Sequence, residues 1–303
     1  MHQFFGDQWA YSLFNSIGGT MALVASLFFL KSKAKSISIY SEYIINAATR
    51  YNKTFEKIVT YALVILEALL FAYVGNKTAG LNGAMGRLVG TGVNYFGGLF
   101  FYAITWTLLS ILLVANPLKK IDVVTMTLPV RLFFVKIACF CQGCCWGIPW
   151  KYGLYNHHYD HPGNQVPVQA IEAFFALAIF AFLLIYRRKA KTGTMFPIYM
   201  ILYGGTRFFS EFFTAAYPDV FGPFNMYQLL CVLAVSIGLL MLIIMRNFGE
   251  KISDFFEKPH IRLEAKYEQK EAEERTRIEA EMKERLEKAK AAREKASVKY
   301  RKK

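Results

Sequence analysis

Arg207 and Glu211 lie four residues apart in an otherwise apolar run, Tyr203-Gly204-Gly205-Thr206-Arg207-Phe208-Phe209-Ser210-Glu211-Phe212-Phe213. On a helix, positions i and i+4 share a face. An ionisable group at membrane depth is costly, so it turns toward a bundle interior and marks a site. An ion pair that merely locks two helices is the other reading, and the motif alone leaves both open. A second cation, Lys136, opens the segment Lys136-Ile137-Ala138-Cys139-Phe140-Cys141-Gln142-Gly143-Cys144-Cys145-Trp146-Gly147. A lone lysine there either snorkels to an interface or meets an anion. Gln169 and Glu172 stand one turn apart behind Pro167, which suits the first turn of a helix. Gln228 opens the last apolar run, and Glu67 is a further intramembrane acid. Cations Arg207 and Lys136, acids Glu211 and Glu172 and these amides suit the capture of an anionic lipid headgroup.

Four of the five cysteines fall in the Lys136 segment. The C-x-C-x-x-C-C spacing invites a zinc or iron–sulfur reading. Against it, no second Cys or His cluster completes a standard spacing, and His157, His158 and His161 belong to a separate loop. Buried thiols also serve as small packing groups, which is the expectation here, with no metal. A disulfide at an oxidising end of the membrane stays open. Gly143 and Gly147 permit tight turns and close approach of a ligand. Gly90, Gly92, Gly97 and Gly98 surround Tyr95 and allow either ligand approach or close helix packing.

These residues must be held by membrane-spanning helices. The 303 residues are 54% hydrophobic and 16% aromatic, and the mean hydropathy is +0.26. That excess and several long apolar runs exclude an ordinary soluble domain. The predicted fold is all-α and integral to the membrane, with seven transmembrane helices near 10–30, 58–75, 94–115, 129–146, 168–186, 194–213 and 226–246. The fourth is short, contains Lys136, and reads as broken or half-buried. Loops after the first, third and fifth spans carry twelve Lys/Arg, against three on the other side (Lys77, Arg87, Lys151). The positive-inside rule then puts the N-terminus outside and the C-terminus in the cytoplasm. The first apolar run lacks a basic start, so it reads as a span rather than a cleaved leader.

Two domains are expected, a membrane domain over 1–250 and a charged cytoplasmic tail over 251–303. Residues 247–303 carry seventeen basic and thirteen acidic residues. That pattern predicts a solvated single helix or short coiled coil from about 262 onward. The net charge of +14 points to anionic lipid headgroups rather than nucleic acid.

In their order along residues 12–246, the motifs resemble those of the bacterial prolipoprotein diacylglyceryl transferases. The family's G-R-I-G-N-F-x-x-G-x-x-x-G signature, with a C-F-x-x-G-C-C-x-G variant, corresponds to Val135–Gly147. Its H-P-x-Q-x-x-E stretch corresponds to Val166–Glu172, its G-x-x-R-F-x-x-E-F motif to Gly204–Phe212, and its M-x-Q-x-x-S element to Met226–Cys231. Three positions depart from the pattern. The histidine of H-G-G-L is Phe96, the signature arginine is Lys136, and the signature asparagine is Cys139.

The resemblance implies a seven-span bacterial inner-membrane enzyme. Such enzymes move a diacylglyceryl group from phosphatidylglycerol to the lipobox cysteine of a prolipoprotein signal peptide. Partners would be those two substrates and membrane lipids, with no nucleic acid and no cofactor. The implied catalytic set is Arg207, Lys136 and Glu211. The implied substrate-binding set is Tyr95, Gly97, Gly98, Cys139, Gly143, Gly147, Gln169, Glu172 and Gln228. Chemically, cations must hold the phosphate, and the acceptor thiol must lose its proton. With Phe96 in place of histidine, Tyr95 or a neighbouring tyrosine is the stand-in. A transporter or lipid-binding membrane protein is the competing class, though no inverted repeat is evident. A non-catalytic scaffold acting through its tail is a third.

Overall fold

The computed structural model describes residues 8–29, 37–49, 53–89, 95–156, 162–215 and 219–301. Gly90, Gly92, the three loop histidines and the cations Lys31, Lys33, Lys35 and Arg50 lie outside them. The helices are α1 (Gln8–Phe29), α2 (Ile39–Thr49), α3 (Lys53–Val89), α4 (Tyr95–Leu112), α5 (Pro117–Thr125), α6 (Leu128–Gln142), α7 (Val168–Tyr186), α8 (Met195–Glu211) and α9 (Met226–Arg301). Among the described residues, four stretches are long and apolar enough to cross a membrane: Tyr95–Leu112, Pro117–Gln142, Val168–Tyr186 and part of Met226–Lys290.

The fourth expected span, 129–146, is continuous helix as far as Gln142 and is preceded by a separate short helix. Asn116 caps α5 by accepting from the N–H groups of Leu118 and Lys119 at 3.1 and 3.3 Å, with Pro117 in the first turn. A turn at Met126–Thr127 then separates α5 from α6. α6 stops at Gly143, whose φ of +77° only glycine adopts readily. The N–H groups of Gly143 and Cys144 fold back onto the carbonyls of Phe140 and Cys139 at 3.3 and 3.2 Å, a Schellman end. The helix is therefore shorter than the expected 129–146, and Cys144, Cys145 and Trp146 lie in the turn beyond it.

α7 coincides with its expected span. Val168, Gln169, Glu172, Ala173, Ala176, Ile179 and Leu183 form its buried stripe, while Phe174 and Ile185 are exposed. α8 is anchored at its start by Asp122 of α5. That carboxylate accepts from the N–H groups of Gly193 and Met195 at 2.6 and 3.0 Å and so faces the positive end of the helix dipole. The core joins α4, α6, α7 and α8 through Leu99, Leu132, Ile179, Phe196, Tyr199 and Tyr203.

Two short antiparallel ribbons add to the helices and were not anticipated: β1 (Pro149–Asn156) with β2 (Gly163–Gln165), and β3 (Asp219–Phe221) with β4 (Phe224–Asn225). β1 is mostly exposed, so no in–out alternation signals it. Beside the first ribbon, Gly147 N–H bonds the Val166 carbonyl at 3.0 Å and Ile148 N–H bonds the Phe213 carbonyl at 2.8 Å. Chain leaving α6, entering α7 and leaving α8 is thus tied together at one point.

α9 runs without interruption through Pro259, so the tail helix does not start at 262 as expected. The chain divides into two compact units, Met1–Glu257 and Lys258–Lys303. Residues 251–257 belong with the first unit, where Ser253 and Glu257 bind Asn116 at 2.7 and 3.2 Å and Glu257 also pairs with Lys119.

Glu67 and Lys120 form a buried ion pair, and Glu67 also accepts from the hydroxyls of Ser38 and Ser41, both at 2.6 Å. Lys120, one of the twelve loop cations of the charge count, is 1% exposed. Removing one member of such a pair leaves a buried charge uncompensated, at a cost of about 3–5 kcal/mol. Glu67→Ala is therefore expected to lower the midpoint of thermal unfolding in detergent sharply. An unchanged midpoint would show that the pair contributes nothing.

Candidate active site

Three helices converge on four charges. α6 supplies Lys136, α7 supplies Glu172, and α8 supplies Arg207 and Glu211, one turn apart. Glu172 binds both cations, with Oε2 on Lys136 Nζ and Oε1 on an Arg207 terminal nitrogen. The second terminal nitrogen of Arg207 meets Glu211 at 2.6 Å. Ser210 donates its hydroxyl to Glu172 at 3.2 Å, and Asn225 donates its amide to Glu211 at 3.3 Å. The Arg207 guanidinium lies 5.9 Å from the Tyr227 ring centroid, within cation–π range.

The residues read from the sequence as suited to an anionic headgroup form a paired cluster of two cations and two carboxylates. Its polarity is still clear. The Glu211 side chain is 0% exposed and Glu172 7%, while Lys136 and Arg207 are 15% and 13% exposed, so the acids stand behind the cations. Guanidinium carries five N–H donors and ammonium three. The contacts with Glu172 and Glu211 leave donors on both cations for an anion. A void of about 10 Å³ beside Arg207, Glu172 and Thr206 has room for one water at most.

An aromatic layer adjoins the cluster. Tyr95 shares a 2.6 Å hydrogen bond with Tyr199 and packs its ring 4.6 Å from that of Tyr203. Phe96 packs 5.3 Å from Tyr203. Beyond Phe96 and Gly97 opens an apolar groove of about 600 Å³, bounded also by Ile104, Met200, Leu230 and Ile237.

The remaining sequence candidates take different places. Gly98 follows Gly97 on α4. Gln169 is fully buried and donates to the Cys144 carbonyl, so it holds the cysteine turn. Cys139 is buried near the end of α6, and Gly143 ends that helix. Two candidates serve the protein's own backbone. A Cβ on Gly147 would stand 2.3 Å from the Phe213 carbonyl and 2.7 Å from that of Val166, so the chain crossing fills the space assigned to a ligand. Gln228 accepts from the Asn225 N–H at 3.0 Å, and its own N–H reaches the Asn225 side chain at 2.9 Å. That is a capping box at the start of α9. Ser210 and Asn225 were not among the sequence candidates. The Asn-x-x-Gln spacing was the available signal for Asn225; Ser210 had none beyond its place beside Glu211.

Fold and site define a helical multi-pass membrane protein with a charged centre buried between its helices. The sequence profile of the family described as prolipoprotein diacylglyceryl transferase matches residues 10–244, and the chain belongs to that family. Three similar proteins are each named phosphatidylglycerol–prolipoprotein diacylglyceryl transferase. The protein from Chlorobaculum tepidum is 32% identical over 161 residues, covering 50% of this chain and 55% of that protein. The protein from Clostridium tetani is 36% identical over 101 residues, 31% of this chain and 41% of that protein. The protein from Hydrogenovibrio crunogenus is 29% identical over 162 residues, 50% and 61% respectively. The chain thus spans about half the length of the curated relatives it matches.

Proposed function

We propose that this protein transfers a diacylglyceryl group from phosphatidylglycerol to the lipobox cysteine of prolipoproteins in a bacterial inner membrane. The observation that carries this reading is Glu172 gripping one cation from each of two other helices. Lys136 and Arg207 present their remaining donors to the lipid phosphate, Glu211 and Glu172 hold them in place, and the apolar groove beside Phe96 and Gly97 suits acyl chains. The acceptor thiol attacks the glyceryl carbon, the carbon–oxygen bond breaks, and the leaving glycerol phosphate gains charge that the two cations stabilise. Signal peptide and surrounding lipids are the partners; no nucleic acid is needed. In a strain depleted of its own transferase, this chain is expected to restore growth and lipid-modified lipoproteins. Normal membrane insertion without lipoprotein modification would refute the proposal.

We also read seven spans with the N-terminus outside and the tail in the cytoplasm. With Lys120 withdrawn into its pair with Glu67, the loop charges still stand at eleven to three. Reporter fusions in loop 31–57 are expected to show a cytoplasmic location, and a periplasmic signal there would overturn the assignment.

A further inference from the structure

A Schellman end closes with a backbone hydrogen bond between two residues five apart, whose side chains then meet, ordinarily as an apolar contact. At the end of α6 those two residues are both cysteine. The Cys144 N–H bonds the Cys139 carbonyl at 3.2 Å, and Cys144 Sγ lies 3.7 Å from the same oxygen. The sulfurs of Cys139, Cys144 and Cys145 all lie within 4.8 Å of one another, and Cys141 is outside the group. A disulfide bond is about 2.05 Å long, so side-chain rotation has less than about 3 Å to close, while the Schellman hydrogen bond holds the two backbones together.

The three thiols differ in access. Cys139 is buried, Cys144 half-buried and Cys145 exposed. Cys145 adopts φ +58°, a left-handed conformation that L-residues disfavour and that recurs at functional sites. The pair also sits where a crosslink has consequences. Lys136 is one turn before Cys139 on α6, and Gln169 of α7 donates to the Cys144 carbonyl. A Cys139–Cys144 bond ties the stretch carrying Lys136 to the turn that α7 holds.

We infer that Cys139 and Cys144 form a disulfide that staples the end of α6, with Cys145 as the exposed thiol through which the oxidant enters. The oxidant is itself a disulfide, small or protein-borne, of an oxidising extracytoplasmic compartment; that placing rests on the orientation proposed above. The Cys145 thiolate attacks the external disulfide, whose S–S bond breaks and releases one thiolate. Cys144 then attacks the Cys145 sulfur and expels the second. Cys139 attacks the Cys144 sulfur and frees Cys145. Cys139 and Cys144 lose two electrons and two protons, and the external disulfide leaves as two thiols. None of these sulfurs takes part in diacylglyceryl transfer.

The test uses the full chain in detergent, first reduced, then given oxidised glutathione. The number of free thiols is expected to fall by two. Cleavage after Phe140 separates Cys139 from Cys144, so mass spectrometry should find the two peptides joined without reductant, with fragmentation placing the bond on Cys144. Cys139→Ala and Cys144→Ala should lose the bond, and Cys141→Ala and Cys231→Ala should keep it. Cys145→Ala should reach the same end point at least about tenfold more slowly, since the thiols left are less accessible. The bond should raise the unfolding midpoint by roughly 5 °C. Thiols that stay free, a bond to Cys145 or Cys141 in place of Cys144, or glutathione left on Cys145 overturns the staple. An unchanged rate for Cys145→Ala overturns the entry role, and an unchanged midpoint overturns the stapling effect. This arm does not depend on orientation. In cells alkylated before lysis the same peptides should be joined. Free thiols there, with loop 31–57 cytoplasmic by reporter fusion, overturn the proposal; with that loop periplasmic, the orientation has failed instead.

Discussion

Arg207→Lys is expected to reduce diacylglyceryl transfer by roughly 10²–10³-fold, the loss seen when one preorganised donor to a developing oxyanion is removed. The reason lies in the shape of the side chain. Two different guanidinium nitrogens engage Glu172 and Glu211, and the fork still has donors to offer a phosphate. An ammonium is a point charge on a flexible stem. It can hold one glutamate or the phosphate, but not all three groups in a fixed arrangement. Glu211→Gln is expected to be much milder, because Glu211 touches only Arg207 and Asn225 among the contacts described above. Its effect should fall on stability and on KM more than on kcat. Initial rates with phosphatidylglycerol vesicles, alongside an unfolding midpoint for each variant, check both. Full turnover by Arg207→Lys would reduce the arginine to a helix lock.

Lys136→Met is expected to abolish transfer while the protein still inserts, and Lys136→Arg to keep or improve it. Lys136 pairs with the other oxygen of the carboxylate that holds Arg207, so the two cations approach an incoming phosphate together. Methionine keeps the length and apolar bulk of the stem but has no donor. Glu172 retains Arg207 and Ser210 as partners, so the fold should tolerate the change. Arginine restores charge and adds the bidentate geometry that suits phosphate. Equal activity of Lys136→Met and the parent would mean that Lys136 only neutralises Glu172 and that the headgroup binds elsewhere.

The charged centre was legible because burying charge in an apolar helix is so unfavourable that few other reasons explain it. The i, i+4 spacing of Arg207 and Glu211 put them on one face before any fold was known. Glu172, by contrast, was visible only as an inward acid. That it bridges α6 and α8 depends on how three helices meet, which no local pattern encodes. The same limit explains Gly147 and Gln228. Their residue types signalled a close approach and an inward amide, but tertiary geometry decided that the partners are the protein's own backbone. The α7 span was readable to the residue because Pro167 and the basic Arg187 and Arg188 bound a continuous apolar run. The Schellman end of α6 was hidden because Cys144, Cys145 and Trp146 are as apolar as the helix before them. The tail helix was expected only from about 262, whereas α9 runs on through Pro259, which lies beyond Glu257, the last residue of the first compact unit.

The most direct test of the central claim is mass spectrometry of a lipobox peptide after incubation with the purified chain in phosphatidylglycerol vesicles. The account predicts a peptide heavier by one diacylglyceryl group on its cysteine, with stoichiometric release of glycerol phosphate, both formed far more slowly with Arg207→Lys and neither formed with phosphatidylcholine vesicles lacking phosphatidylglycerol. An unmodified peptide with folded, membrane-embedded parent protein would contradict it.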